Sequence, residues 1–489
     1  MYDLYKPLRN YLRTVSLLPS LLTIYRFVQH LQFQTPLPPA LQYPMFPFRP
    51  AIQSGLFEWT LELLARELIL NAPDQAARAI DTWNDYAKAG NIIRDIENKV
   101  WGRLPNGQEL IRYEMVRIAH RQFAWQTRPN QRLVASYLKL YSNPRLTDLM
   151  WRVFGMTAHQ LMQVGMGLAG HFLEQPTIRL PVGNQVNEVD DAVVAQFVAR
   201  FSRPLPDLRV LMQAVQAYNV NWAYAFDPLR SFPMIRVADD RLFCPMPTLL
   251  LWRVTEGVYF DLVKEGAAFD RTFGPAFQDL AAEVVAAADP SGHFETLPEV
   301  RYGTKAKPKD SVDLIVQDET GVLFVECKAS RFKAQAKVDL VDLTALLGEL
   351  DRLAGFVAQV YATLADALAR TYPHWKPDGR PIYPLVLTLD EWLPSGRMLN
   401  EAFEAAIREK LAARGVTSDI LEQHPFTLCS LQEFELAVQV MATDGIAPVM
   451  AGKTQVEQRT WAMGPYLNGA FAAQIAASEI LFVEDWQRV

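Results

Sequence analysis

Asp313, Glu326 and Lys328 fall in the stretch SVDLIVQDETGVLFVECKAS, residues 311–330, where residue order spells out chemistry. One acid sits among apolar residues, a polar turn follows, and a second apolar run ends in acid, any residue, lysine. Carboxylates are costly to bury in such company unless something compensates their charge. Hard oxygen ligands of this kind suit Mg²⁺ or Mn²⁺, which keep several waters and take few carboxylates. A bound ion would acidify a water and neutralise a phosphate. Lys328 would position the attacking water or stabilise developing negative charge. The plain alternative is a solvated strand edge, where acid and lysine two residues apart are common.

The elements that must position this trio are readable. Val312, Leu314 and Val316 alternate with Asp313 and Ile315, a period of two that predicts a strand. Residues 317–321 (QDETG) carry turn chemistry, with Gly321 available for a positive φ. The second strand covers residues 322–328. Residues two apart share a face, so Glu326 and Lys328 point one way, and Leu323, Val325 and Cys327 the other. Pairing of the two segments brings Asp313 close to Glu326. Residues 322–325 are apolar on both faces, which predicts a central strand and argues against a solvated edge.

At 489 residues the chain has room for two or three domains. Its net charge of −6 gives no overall pull toward nucleic acid, so such binding must come from local patches. Three widely separated cysteines (Cys244, Cys327, Cys429) argue for a reducing compartment and against a disulfide framework. The basic, apolar N-terminus contains Pro19 and lacks a clean signal-peptide pattern. No run reaches the roughly 18 apolar residues of a membrane span. These features predict a cytoplasmic protein with no membrane partner.

Composition divides the chain into a mostly helical region, 1–204, a hairpin-containing connection, 205–268, a regular α/β region, 269–445, and an extension, 446–489. In the third region Phe273, Phe277, Leu280 and Val284 share a helical face. A short strand over 294–302, the Asp313 and Glu326 strands, a long amphipathic helix over 333–370, and a strand over 382–389 follow. The helix has candidate breaks at Gly348 and Gly355. A helix over 399–413, a strand over 425–429 and a final helix over 431–441 complete the order.

That order, with an aspartate in the second strand and Glu-x-Lys in the third, resembles the PD-(D/E)xK, restriction-endonuclease-like nuclease superfamily, including its Mrr-like and RecB-like bacterial members. The likeness covers roughly residues 270–440. It implies an αβββαβ core, a mixed sheet flanked by helices, and Mg²⁺-dependent hydrolysis of DNA (Mn²⁺ as a substitute). By position, Asp313 and Glu326 would bind the ion with the backbone carbonyl of Cys327, and Lys328 would assist the nucleophile. Restriction or anti-phage defence, a homo-oligomer or a defence-system partner are further implications. The alternative is the same fold kept as a catalytically weak or inactive nucleic-acid-binding or assembly module.

Many members carry another glutamate on the first helix after an aromatic residue. Here Gln278 follows Phe277, with Asp279 and Glu283 as further candidates or as solvated surface acids. Val312 stands where the motif has proline. Gln359 on the long helix matches a glutamine that some RecB-like members use, without the tyrosine four residues on (Thr363).

Two basic segments are candidates for phosphate contact. Residues 111–146 hold Arg112, Arg117, Arg121, Arg128, Arg132, Lys139 and Arg145 against Glu114, interleaved with aromatic residues. Such density suits phosphates and unpaired bases, or a helix pair whose arginines reach acids elsewhere. Arg301, Lys305, Lys307 and Lys309 precede the motif, and Lys333 and Lys337 follow it. The run VGMGLAG, with Gly165, Gly167 and Gly170, reads as close helix packing rather than a phosphate loop.

Overall fold

The structure, a computed structural model, describes residues 1–43, 55–102, 117–126, 130–182, 189–339, 343–391 and 397–487. It is mixed α/β, with a helical N-terminal region. Contacts group the chain into two compact units, Met1–Asn130 with Leu149–Lys264, and Gln131–Asp148 with Glu265 onward. Residues 205–264 thus group with the first unit, and the extension after 445 with the second.

In the first unit the helices Leu17–Phe33 and Glu58–Asn71 form the centre. Leu61, Leu64 and Leu68 recur at helical spacing and are fully buried against Leu21, Ile24 and Phe27. Thr82 caps the helix Trp83–Trp101 by accepting from the Asp85 N–H at 3.2 Å. A small sheet runs β1 (Thr177–Arg179), β4 (Arg241–Phe243), β3 (Met234–Ala238), β2 (Ser202–Pro204). The expected hairpin is β3–β4, turning at Asp239 and Asp240. The three glycines of VGMGLAG lie inside the helix Ala158–Glu174. A Cβ on Gly165 would stand 2.5 Å from Val254 Cγ1, so this glycine lets the Pro247–Val254 helix approach.

The second unit begins its α/β part with the lead helix, Ala267–Ala288. Its sheet has the order β11-β10-β9-β8-β5, from Thr427–Ser430, Ile382–Thr388, Val322–Lys328, Leu314–Gln317 and Glu295–Pro298. β5–β8 and β8–β9 pair antiparallel, while β9–β10 and β10–β11 pair parallel. β9 is the middle strand, and Val322 to Val325 are fully buried, as their two-sided apolar pattern predicts. The long helix, Thr344–Leu368, crosses from β9 back to β10 and contains Gly348 and Gly355 without a break. A separate short helix, Ala334–Val338, precedes it.

One expected element divides in two. The predicted strand over 294–302 becomes β5 and then β6 (Arg301–Thr304), which leaves the sheet and pairs with β7 (Lys307–Asp310) as an exposed hairpin. Gly303 makes that ribbon possible. Its φ is +89°, and a Cβ there would sit 2.6 Å from the Lys307 carbonyl oxygen. The β8–β9 turn is also built differently from expectation. Gly321 has no positive φ; it is needed for space, since a Cβ would come within 3.2 Å of Ala447 N and Ile446 Cγ2. Asp318 fixes that turn, accepting from the N–H groups of Thr320 and Gly321 at 2.7 and 2.8 Å. Its other oxygen accepts from Ile446 N–H at 2.7 Å, at the start of the helix Ile446–Lys453.

Candidate functional site

β8 and β9 carry the motif to one place. Leu314 pairs with Val325, so the register carried one residue further sets Asp313 opposite Glu326. At Asp313 the ladder ends and the side chain replaces it. Asp313 Oδ2 accepts from the Cys327 backbone N–H at 2.6 Å, and Oδ1 accepts from the Gln278 amide on the lead helix. In an extended strand a residue's N–H and C=O leave on the same side. The Cys327 carbonyl therefore also emerges on the Asp313 side of β9, where β8 no longer covers it.

Glu326 is 1% exposed, as expected for a side chain rising from the central strand. Lys328, two residues on and on the same face, places Nζ 2.6 Å from Glu326 Oε1. The ammonium also lies 5.5 Å from the ring centre of Phe356 on the long helix. Glu326 Oε2 is buried and has no hydrogen-bond partner. Burial, and then the neighbouring Asp313 charge, push the Glu326 carboxyl up to about 8, against the pull of Lys328. Asp313 is also raised by burial, opposed by Lys328, the Cys327 N–H and Gln278. Burial alone would lower Lys328, but Glu326 and Asp313 more than reverse it. Burial is the largest cause for both carboxyls, and the single Lys328 ammonium opposes it at both.

Of the three helix-one candidates, only Gln278 meets Asp313. Asp279 instead accepts from Arg145 Nε at 2.8 Å and Asn143 at 3.1 Å. Glu283 pairs with Lys139 at 3.0 Å. Gln359 is half-buried on the long helix, between Phe356 over Lys328 and Thr363 near Tyr302. Sequence reading missed Glu299. It follows β5 directly, and its N–H donates to the Asp313 carbonyl at 3.0 Å. Burial and the Asp313 charge raise its carboxyl. No local sequence pattern pointed to it; the β5–β8 register does.

The basic candidates separate. Arg117 is 4% exposed, its guanidinium 3.9 Å from the Tyr224 ring centre and hydrogen-bonded to Asn221. Arg121 is paired with Glu97. Arg132 bonds Ser478 at 3.1 Å near Glu435. Arg121, Arg132, Lys139 and Arg145 thus reach acids, whereas Arg117 packs on Tyr224 and bonds Asn221. Arg112, Tyr113, Glu114 and Arg128 lie outside the described residues. The β6–β7 ribbon is different. It is exposed, with Lys305 and Lys307 at its tip, and its two ends run into Glu299 and Asp313. Lys309 at its base pairs with Asp366 at 2.6 Å, and Arg301 with Asp310 at 3.8 Å. Lys333 is exposed beside Glu349 at 3.5 Å, and Lys337 is half-buried on its short helix.

Among the described residues, no three His, Cys, Asp or Glu side chains already converge as a metal cage. One buried and one half-buried carboxylate, an open strand carbonyl and an orphaned carboxylate oxygen nevertheless fit Mg²⁺, which takes one or two carboxylates and fills its remaining positions with water. Among the described residues no helix is long and apolar enough to cross a membrane. The chain matches no family model, no curated protein and no solved structure.

Proposed function

We propose that the second unit is a metal-dependent phosphodiesterase acting on nucleic acid, most simply DNA, built on a restriction-endonuclease-like core. The observation that carries this reading is Glu326: a carboxylate buried at the centre of a sheet, balanced on one oxygen by Lys328 and unpartnered on the other. Asp313, Glu326 and the Cys327 carbonyl would hold Mg²⁺ or Mn²⁺. When bound, the ion supplies an acidified water and charge neutralisation at the scissile phosphate.

The chain's own groups have definable parts. Gln278 and the Cys327 N–H fix the orientation of Asp313. Phe356 and Glu326 hold the Lys328 ammonium in place. From there it can orient the attacking water and offset charge building on the phosphate oxygens. The basic ribbon, rooted at the acids, would track the backbone being cut. Cleavage of plasmid and single-stranded DNA with Mg²⁺ and with Mn²⁺ tests the reading. Activity is expected to disappear in Asp313→Ala and Lys328→Ala; cleavage that persists in both purified variants refutes the site.

A second reading has its own support. Both Asp313 oxygens already accept hydrogen bonds, one from an amide where an acid would be a stronger ligand partner. That favours a nucleic-acid-binding or assembly module whose trio is a polar plug. Calorimetric titration with Mg²⁺ separates the two: a plug gives no heat that Glu326→Gln removes.

A further inference from the structure

The row of acids across the sheet is longer than the motif. Pro298 of β5 pairs with Leu314 of β8, and Leu314 with Val325 of β9. One residue beyond, the Glu299 N–H to Asp313 carbonyl bond continues the first pairing, and the Asp313 carboxylate bridges to β9 at Cys327 N–H. Glu299, Asp313 and Glu326 therefore occupy one cross-strand row on three neighbouring strands. Side chains directly opposite in a ladder share a face. In the next strand the row meets Val386, so the acids end there. They gather where β5 and β8 depart into the basic ribbon.

Three acids in a row are not by themselves a site. The second observation is Glu326 Oε2, fully buried, without a partner, on the face that Glu299 and Asp313 share. Like charges without a cation between them spread apart, and Glu299, the exposed member, has the freedom to turn toward water or toward Asp313. Asp279 and Glu283 are instead paired with Arg145 and Lys139.

Resting on the metal reading above, we infer that Glu299 is the third carboxylate of the ion site, supplied by the end of β5 rather than by the lead helix. It closes over the ion by rotation of its own side chain. The lead helix contributes Gln278 as a positioning residue for Asp313.

The test is Mn²⁺ binding to the full chain, read by calorimetry and by the loss of the free-ion paramagnetic resonance signal. Wild type, Glu299→Gln and Asp279→Asn are compared. Glu299→Gln is expected to weaken Mn²⁺ binding by at least about tenfold, the scale seen when even outer groups of a metal site are removed. Asp279→Asn is expected to bind like wild type. Glu299 is exposed, so its variant keeps the fold, which circular dichroism verifies. Wild-type affinity in Glu299→Gln, with intact binding in wild type, overturns the inference and leaves the metal reading standing. A larger loss in Asp279→Asn than in Glu299→Gln also overturns it. No binding in wild type overturns both.

Discussion

Replacing Glu326 with glutamine should make the metal-free protein more stable, and increasingly so as pH rises. Glu326 is 1% exposed, and its carboxyl is raised to about 8 by burial and by Asp313. In the unfolded chain a glutamate titrates near about 4.3. Between those values the folded state holds a proton that the unfolded state has released. Stability then falls with rising pH, because the unfolded state binds fewer protons. The full contribution is retained below the unfolded value, and the loss is complete above the folded one. Each pH unit well inside the window costs about 1.4 kcal/mol, so wild type should lose about 3 kcal/mol from this group between about pH 5 and pH 8. Glutamine, of the same shape, does not titrate. In wild type Glu326 and Asp313 together hold Lys328 charged against its burial, and in the variant Asp313 alone does so.

Urea unfolding of the second unit at several pH values, without divalent ions, provides the assay. The two stability curves are expected to meet near pH 4 and to diverge upward for Glu326→Gln. Adding saturating Mg²⁺ should reverse the order at pH 8, because ligand bound only by the folded state stabilises it by mass action. Parallel pH curves for the two proteins, or a variant that Mg²⁺ stabilises as much as wild type, would refute the reasoning. The first outcome would mean that the buried carboxylate is ionised at little cost. The second would mean that it is no ligand.

Other predictions concern the same unit. Mg²⁺ affinity measured by calorimetry should rise about tenfold per pH unit below about 8 and level off above it, since the ion must displace the proton that Glu326 retains. Changing Lys305 and Lys307 to glutamine should weaken DNA binding in filter or anisotropy assays and lower its salt dependence by about one or two ions, with Mg²⁺ affinity unchanged. Gly303→Ala should leave global stability nearly intact yet raise hydrogen exchange across residues 301–310, because a left-handed φ and a 2.6 Å approach to the Lys307 carbonyl oxygen both oppose a methyl group.

The parts of this unit that were legible in sequence are those whose pattern reports burial. Residues 322–325 read as a central strand because both faces are apolar, and a strand with both neighbours paired needs both faces covered. The lead helix and the long helix showed their apolar faces at helical spacing. The β6–β7 ribbon was illegible because its strands, RYGT and KPKD, are exposed apart from Tyr302 and carry no alternation. Arg117 looked like a phosphate contact because its neighbours in sequence are basic and aromatic. Its actual surroundings, Tyr224 and Asn221, lie about a hundred positions away. Asp279 and Glu283 were ambiguous for the same reason, since their partners Arg145 and Lys139 are distant in the chain. Glu299 became visible only through register, which no local pattern encodes.

Buried carboxylate oxygens without a donor also occur at Asp227, Asp289 and Glu435, so the case for a ligand at Glu326 rests on its place beside Asp313 and Lys328, and two fully held carboxylates show what it lacks. Glu67, in the first unit, is also removed from water. It accepts from Tyr5 at 2.7 Å, Arg66 at 2.9 Å, Trp222 at 3.1 Å and Asn71 at 3.3 Å. That is what a structural carboxylate requires, because each buried oxygen left without a donor costs on the order of 1–3 kcal/mol. Glu349, at 2% exposure, is held by Arg352, the Lys333 ammonium and the Lys333 N–H. Asp313 is likewise satisfied on both oxygens. Glu326 alone in the motif carries an oxygen with no donor. On the metal reading proposed above, a cation placed against Oε2 would supply what Glu67 receives from four donors.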